Sequence, residues 1–171
     1  KDLKFNNVLD IGAWGGTWSN TISKYANLVH AFEPDQLHYE CLMKNIEDNV
    51  IAHHCAVGST KSKVSLTAEQ KNFTQGKRII PDGEILMTTV DSFAITNIDL
   101  IKIDVEGYEM EVLKGANEAL AQCTYVMIEL NNNSKKYGSS NGQITKYLTQ
   151  KGFSVLIKTW PDVVFVNNYS L

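Results

Sequence analysis

Cysteine and proline are scarce in this sequence, three of each among 171 residues, and long apolar runs are missing altogether. The cysteines, Cys41, Cys55 and Cys123, are odd in number and widely scattered. That pattern fits buried free thiols in a reducing compartment better than a disulfide framework or a metal site. No stretch approaches the ~20 apolar residues of a membrane-spanning helix, and no secretory leader opens the chain, so the expected setting is the cytoplasm, away from membranes. The Asn-x-Ser/Thr triplets that begin at Asn72, Asn132 and Asn168 are then chance occurrences. Basic charge is not in excess either. Sixteen Lys and Arg against 19 Asp and Glu leave a net charge of -3, which argues against a nucleic-acid partner held through its phosphates.

What is present is an ordinary globular balance, 43% hydrophobic and 20% charged, in a length that suits one domain with a real core. No internal repeat is visible. The chain is organised around Val8 to Thr17, where an apolar run ends in Asp10-Ile11-Gly12 and passes through Ala13, Trp14, Gly15 and Gly16 into a segment able to start a helix. This is the strand, tight turn and helix that open a nucleotide-binding βαβ unit. Gly12 and Gly16 allow the sharp curve and leave room for a ligand against the backbone.

The remaining chain alternates in the same way. Thr17 to about Tyr25 is expected as a helix, with Trp18, Ile22 and Tyr25 as its buried stripe. Leu28 to Pro34 is expected as the second strand, and Asp35 as the N-cap of a helix running to about Ile46, with Leu37, Cys41, Leu42 and Ile46 turned inward. Ile51 to Val57 is a third short strand, and Lys63 to Thr67 and Ile85 to Val90 alternate as two more. Between those two lies Glu69 to Glu84, the least regular stretch, which carries Lys71, Lys77, Arg78, Pro81 and Gly83 and reads either as a lid or substrate loop or as a surface excursion. Leu100 to Val105 is a buried parallel strand, followed by helical segments at Glu109 to Leu113 and Asn117 to Gln122 around a break at Gly115. Tyr125 to Leu130 is another strand, Asn131 to Gly142 a polar loop, and Gln143 to Gln150 a helix. Phe153 to Ile157 and Val163 to Val166 form a closing hairpin about Pro161 and Asp162. The predicted fold is α/β: a doubly wound, mostly parallel sheet with an antiparallel C-terminal hairpin.

Such a sheet brings four features together outside the carboxyl ends of its strands. They are Asp10 to Gly16; Glu33, about 20 residues beyond the glycines, where an acid accepts hydrogen bonds from ribose hydroxyls; Cys55-Ala56-Val57, an apolar slot for an adenine ring; and Asp104-Val105-Glu106-Gly107. A dinucleotide loop wants glycine where Trp14 stands, to admit a pyrophosphate. S-adenosylmethionine has no phosphate and carries a cationic sulfonium, which Asp10, Glu33 and Asp104 would surround with negative charge.

Asp10-Ile11-Gly12-Ala13 with Gly16, Ala31-Phe32-Glu33-Pro34, Ala56-Val57-Gly58, Val90-Asp91-Ser92-Phe93 and above all Leu100-Ile101-Lys102-Ile103-Asp104-Val105-Glu106-Gly107-Tyr108-Glu109, with Val112-Leu113-Lys114-Gly115-Ala116 and Ile128-Glu129, resemble the FkbM-type S-adenosylmethionine-dependent methyltransferases. The resemblance implies the class I, Rossmann-like methyltransferase fold and transfer of a methyl group to a hydroxyl oxygen of a sugar, polyketide or similar small acceptor. It implies cofactor contacts from Asp10, Gly12, Ala13, Trp14, Gly16, Glu33, Pro34, Cys55, Ala56 and Asp104. Two departures stand out. The family commonly has Asn where Trp14 stands, so the loop is shaped differently or Trp14 faces the acceptor. The chain also begins almost on the first strand, so the acceptor pocket is open, built from the two polar loops, or completed by a second subunit.

The reaction must also remove the acceptor's proton: Asp104 is the first candidate for contact with the cofactor's tail or the acceptor, Glu106 for orienting the acceptor or taking its proton, and Glu129 comes third. The competing structural role for Glu106 and Glu109 is to place negative charge at a helix N-terminus. Lys102, in an otherwise apolar strand, is expected to pair with one of these acids. Asp104, Glu129 and Asn131 are the candidates for a divalent-metal site, but no tight ligand cluster is visible and no metal is expected. His53 or His54 could serve as a base; packed or solvated roles suit them better. His30 and His38 carry no special signal. Trp14, Trp18, Tyr25 and Phe32 are spaced as core or helix-face residues. The alternatives are an NAD(P)-dependent oxidoreductase or epimerase, and a nucleoside- or partner-binding module without turnover.

Overall fold

The alternation of apolar runs with helix-forming segments is realised as two sheets in a computed structural model that describes residues 4–67 and 77–170. In chain order the elements are β1 (Phe5–Ile11), α1 (Thr17–Ser23), β2 (Ala26–Phe32), α2 (Gln36–Asn45), β3 (Val50–His53), β4 (Ala56–Val57), β5 (Ser62–Leu66), β6 (Ile79–Pro81), β7 (Ile85–Thr88), β8 (Ile98–Ile103), α3 (Glu109–Lys114), α4 (Asn117–Gln122), β9 (Tyr125–Glu129), α5 (Asn141–Gln150), β10 (Phe153–Thr159) and β11 (Asp162–Asn167). Short 3₁₀ turns lie at Asp91–Phe93 and Asn133–Tyr137.

Seven strands form the main sheet in the order β10-β11-β9-β8-β1-β2-β3. Its five central and flanking strands run parallel, and β11 lies antiparallel between β9 and β10. The strand order reverses at β1, with β2 on one side and β8 on the other, which opens a crevice at their carboxyl ends. Alternate residues of β1 and β8 feed two cores. Val8 and Leu100 pack with Leu42 of α2, while Leu9, Ile101 and Ile103 pack with Val112, Leu113, Leu120, Ile144 and Leu148 of α3, α4 and α5. Helices therefore cover both faces, as the α/β reading expects.

Several local expectations change. Ile51 to Val57 is two strands: β3 ends at His53, the chain turns through His54 and Cys55, and β4 begins a separate four-stranded sheet, β4-β7-β5-β6. The irregular stretch contributes β6 to that sheet, paired with β5, while residues 69–76 lie outside those described. The buried face of α1 carries Ser19 and Ser23, with Trp18 and Ile22 only partly covered. Tyr25 follows the helix and is 59% exposed. On α2 only Leu42 is buried; Leu37 and Cys41 face outward, so Cys41 is an exposed thiol whereas Cys55 and Cys123 are buried ones. Asp35 caps α2 as its position implies, its Oδ1 accepting from Leu37 N and His38 N, 3.1 Å each. The polar loop after β9 contains the Asn133–Tyr137 turn. Among the described residues no helix is long and apolar enough to cross a membrane.

Candidate active site

The crevice at the switch point is a cavity of about 270 Å³. Four strand ends wall it. Ile11, Gly12 and Trp14 follow β1; Phe32, Glu33, Pro34 and Asp35 follow β2; Asp104, Val105 and Glu106 follow β8; and Glu129 ends β9. Cys55, Ala56 and Val57 form an apolar side, and His38 enters from α2. The four features separated in sequence thus meet at one place.

The glycine loop is held from both sides. Gly12 N and Ala13 N both donate to the Phe32 carbonyl at 3.0 Å, and Asp104 N donates to the Ile11 carbonyl at 2.9 Å. Gly12 has φ +85, and a Cβ there would lie 1.8 Å from the Asp104 carbonyl oxygen, so only glycine fits. Gly16, at φ +87, caps α1 where a side chain would meet Leu42. Gly16 and the buried Ala13 shape the loop from behind and do not line the cavity.

Glu33 is 6% exposed. Its Oε2 accepts from Trp14 N at 2.9 Å and its Oε1 from Asp35 N at 2.8 Å. Two backbone bonds leave further lone pairs on the same carboxylate for two ligand hydroxyls. Burial lifts the Glu33 carboxyl to about 7, against the opposing pull of those two N–H groups. Trp14 stands in the left-handed region at φ +49, 49% exposed, with its ring edge-on to His38 at 5.9 Å. It is a cavity wall rather than a core residue; of the four aromatic residues assigned to core or helix face, Phe32 is the one that is fully buried.

Asp10 is fully buried beneath the loop and lines no part of the cavity. Its Oδ2 accepts from Ser19 Oγ at 2.6 Å and its Oδ1 from Lys102 Nζ at 3.1 Å. Parallel register places Asp10 and Lys102 directly across from each other on β1 and β8. Burial raises the Asp10 carboxyl, with Lys102 opposing the shift. The expected lysine–acid pair is thus present, and it includes Asp104 at 3.5 Å.

The acid-rich wall lies opposite Glu33. Glu106 sits at φ +56, followed by Gly107 at φ +112. Its Oε2 accepts from Asn133 Nδ2 at 3.0 Å, and burial followed by the nearby Asp104 raises its carboxyl. Glu129 Oε2 accepts from Asn131 Nδ2. Burial, then the neighbouring Asp104, Glu106 and Asp162 carboxyls, push Glu129 up to about 7. Glu109 is buried and turned away, its Oε1 accepting from Gly107 N at 2.7 Å, which is the helix-entry role anticipated for it. Among the described residues no group of three or more His, Cys, Asp or Glu side chains is gathered as metal ligands would be. His53 packs between aromatic groups, stacked on Phe32 at 4.6 Å and joined to His30 at 3.1 Å, and burial lowers it to about 4. His54 stacks on Tyr39 at 4.5 Å.

Sequence reasoning missed Asp35, His38 and Leu66 as cavity residues, whereas Lys77 and Ile79 belong to the stretch read either as a lid or substrate loop or as a surface excursion. His38 was legible in principle, since it lies one turn into a helix capped by Asp35. Lys77 Nζ reaches Asp35 Oδ2 at 2.7 Å, a long-range pair that no local pattern announces.

Comparison with known proteins agrees with this geometry. The methyltransferase FkbM domain profile matches residues 10–155. The hexuronic acid methyltransferase AglP of Haloferax volcanii is 27% identical over 157 residues, covering 86% of this chain and 63% of that protein. Methyltransferase FkbM from Methylobacillus flagellatus superposes with a TM-score of 0.65 at 18% identity, over 96% of this chain and 44% of the other. The N-methyltransferase NodS from Bradyrhizobium japonicum, solved with S-adenosyl-L-homocysteine, superposes with a TM-score of 0.54 at 10% identity, over 96% and 79%. The chain therefore spans less than two thirds of the FkbM structure and of the curated relative, and the distant structures establish the Rossmann-like fold. With the profile running from Asp10 at the cofactor loop to Val155 in the closing hairpin, this chain belongs to the FkbM methyltransferase family.

Proposed function

We propose that this domain transfers the methyl group of S-adenosylmethionine to a hydroxyl oxygen of a small, carbohydrate-like acceptor in the cytoplasm. The observation that carries the reading is the split of the cavity's carboxyls between two sets of strand ends: Glu33 and Asp35 after β2, and Asp104, Glu106 and Glu129 at the ends of β8 and β9. The residues fit the cofactor. Glu33 has lone pairs for the ribose hydroxyls, Cys55, Ala56 and Val57 offer an apolar slot to adenine, and Gly12 bares the loop backbone beside Asp104. When bound, S-adenosylmethionine would supply an electrophilic methyl group on a cationic sulfur. The chain's own part is to align an acceptor with that group, which lowers the entropic cost of an in-line displacement by several kcal/mol in good cases. Glu129, raised into the neutral range, is the group suited to take the hydroxyl proton on a carboxylate oxygen, with Glu106 orienting the acceptor and Asp104 facing the amino-acid tail of the cofactor. The known relatives lend no support to an oxidoreductase, and Trp14 stands where a diphosphate would need bare backbone.

The carbohydrate part rests on AglP, whose name specifies a hexuronic acid. A panel of neutral, amino and uronic sugars, followed by release of S-adenosylhomocysteine, tests it. Product methyl groups that resist mild alkali mark ethers, the expected outcome; labile ones mark esters and move the reaction to a carboxylate. Titration calorimetry with S-adenosylhomocysteine and with NAD tests the cofactor, and binding of NAD alone would reverse the assignment.

Two substitutions test the two ends separately. Glu33→Ala is expected to weaken S-adenosylhomocysteine binding by about 1–3 kcal/mol, the cost of leaving buried hydroxyl and N–H partners unpaired. Unchanged affinity removes Glu33 from the ribose site. Glu106→Gln is expected to leave that affinity alone and to lower turnover. Glu106 holds a backbone conformation that costs on the order of 1 kcal/mol or more for a non-glycine residue, and equal turnover would assign the strain to the helix entry instead.

A further inference from the structure

Lys102 takes no part in the steps above, yet it is 8% exposed and sits directly beneath the cavity. Its Nζ lies 3.1 Å from Asp10 Oδ1, 3.4 Å from the Gly12 carbonyl and 3.5 Å from Asp104 Oδ2, with the Trp18 ring centroid 5.5 Å away. Balancing Asp10 does not by itself explain a lysine here, because buried ion pairs are often replaceable by apolar pairs without loss of stability. Asp10 also has a second donor in Ser19. The other two contacts are of a different kind. The Gly12 carbonyl belongs to the loop after β1, and the Asp104 carboxylate to the loop after β8; both residues line the cavity. The Asp104 side chain is 40% exposed, and its carboxyl lies between the Lys102 ammonium and the Glu129 carboxyl. An ammonium with three donors can hold all three oxygens at once.

We propose that Lys102 is a positioning residue for the cofactor: it holds the Asp104 carboxylate beside the Gly12 carbonyl, in the orientation that receives the amino-acid tail of S-adenosylmethionine. This rests on the cofactor assignment made above. Lys102 touches no ligand and acts through Gly12 and Asp104.

The test replaces both members of the buried pair, Asp10→Asn with Lys102→Met, so that Asp10 is not left as an unpaired charge in the interior. Melting temperature and S-adenosylhomocysteine affinity by calorimetry are then compared with wild type. The expected result is melting within a few degrees of wild type together with affinity at least about tenfold weaker, a loss that a purely structural pair would not produce once its charges are removed together. Affinity within about threefold of wild type at unchanged melting overturns the proposal. So does a double variant that melts far below wild type, since the lysine's work would then be to hold the fold. A wild-type protein that does not bind S-adenosylhomocysteine defeats the cofactor assignment itself, and this inference with it.

Discussion

Gly12→Ala is expected to abolish measurable S-adenosylhomocysteine binding and to lower the melting temperature by several degrees. Two costs combine. At φ +85 the alanine would occupy the left-handed region, about 1–2 kcal/mol against an L-residue. Its methyl group would also fall 1.8 Å from the Asp104 carbonyl oxygen, and overpacking of this kind costs about 1–3 kcal/mol. Neither side can retreat cheaply. Gly12 N and Ala13 N are both bonded to the Phe32 carbonyl, and Asp104 N to that of Ile11, so relief means prising β8 from β1. A total near 3 kcal/mol corresponds to roughly 6–12 °C for a chain of this size. The same displacement moves Asp104, one of the two cavity walls, so binding suffers beyond the loss of stability. Differential scanning fluorimetry with and without ligand separates the effects: an alanine variant whose melting still rises with S-adenosylhomocysteine as wild type's does would refute the assignment of this loop to the cofactor.

Glu129→Gln is expected to lower turnover by about 10²–10⁴-fold, the range for loss of a general base, with S-adenosylhomocysteine affinity little changed. Gln retains an oxygen to accept from Asn131 Nδ2, so the loop after β9 keeps its anchor. Wild-type turnover should rise with pH through about 7, the value to which burial and the Asp104, Glu106 and Asp162 carboxyls bring Glu129; the variant should lose that limb. Stability supplies an independent sign. The folded chain binds this proton more tightly than the unfolded chain does, so ionising Glu129 costs stability as pH rises from its ordinary range through about 7, and the cost persists above. The glutamine variant should therefore melt higher than wild type at pH 8 and lose that advantage near pH 4. A variant with full turnover, or one that melts lower than wild type at pH 8, would return Glu129 to a structural role.

Much of this site could be read along the chain because parallel sheets place function at strand ends. Glu33 follows β2 and Asp104 follows β8, and each was identifiable from an apolar run that stops at an acid. Asp35 declared itself as a helix cap by lying one residue past Pro34. What stayed hidden depends on three-dimensional neighbours. The break at His54 and Cys55 is one example: Ile51 to Val57 is apolar enough for one strand, and only the competing pairing of β4 with β7 divides it. Asp10 is another. An acid at the end of a strand beside a glycine loop looks like a ligand contact, but strand parity turns it under the loop to meet Lys102 across β1 and β8. Trp14 reads by spacing as core or helix face and by resemblance as a cofactor or acceptor contact, and the left-handed turn that its backbone makes for Glu33 leaves the ring half exposed on the cavity wall. Helical spacing on α2 likewise marked Leu37 and Cys41 as inward, although one residue, Leu42, fills the space against the sheet.

The small sheet has a bearing on how such an enzyme can diverge. Leu66, Lys77 and Ile79 reach the cavity from β5, β6 and the residues beside them, while Glu33 and Gly12 belong to the main sheet. The two sheets share no strand pairing among the described residues: β5 pairs with β6 and β7, and β1 with β2 and β8. Change along the β5–β6 rim is thus bounded at β4, which carries Ala56 and Val57 of the slot offered to adenine, so divergence there soon meets the cofactor's own proposed site.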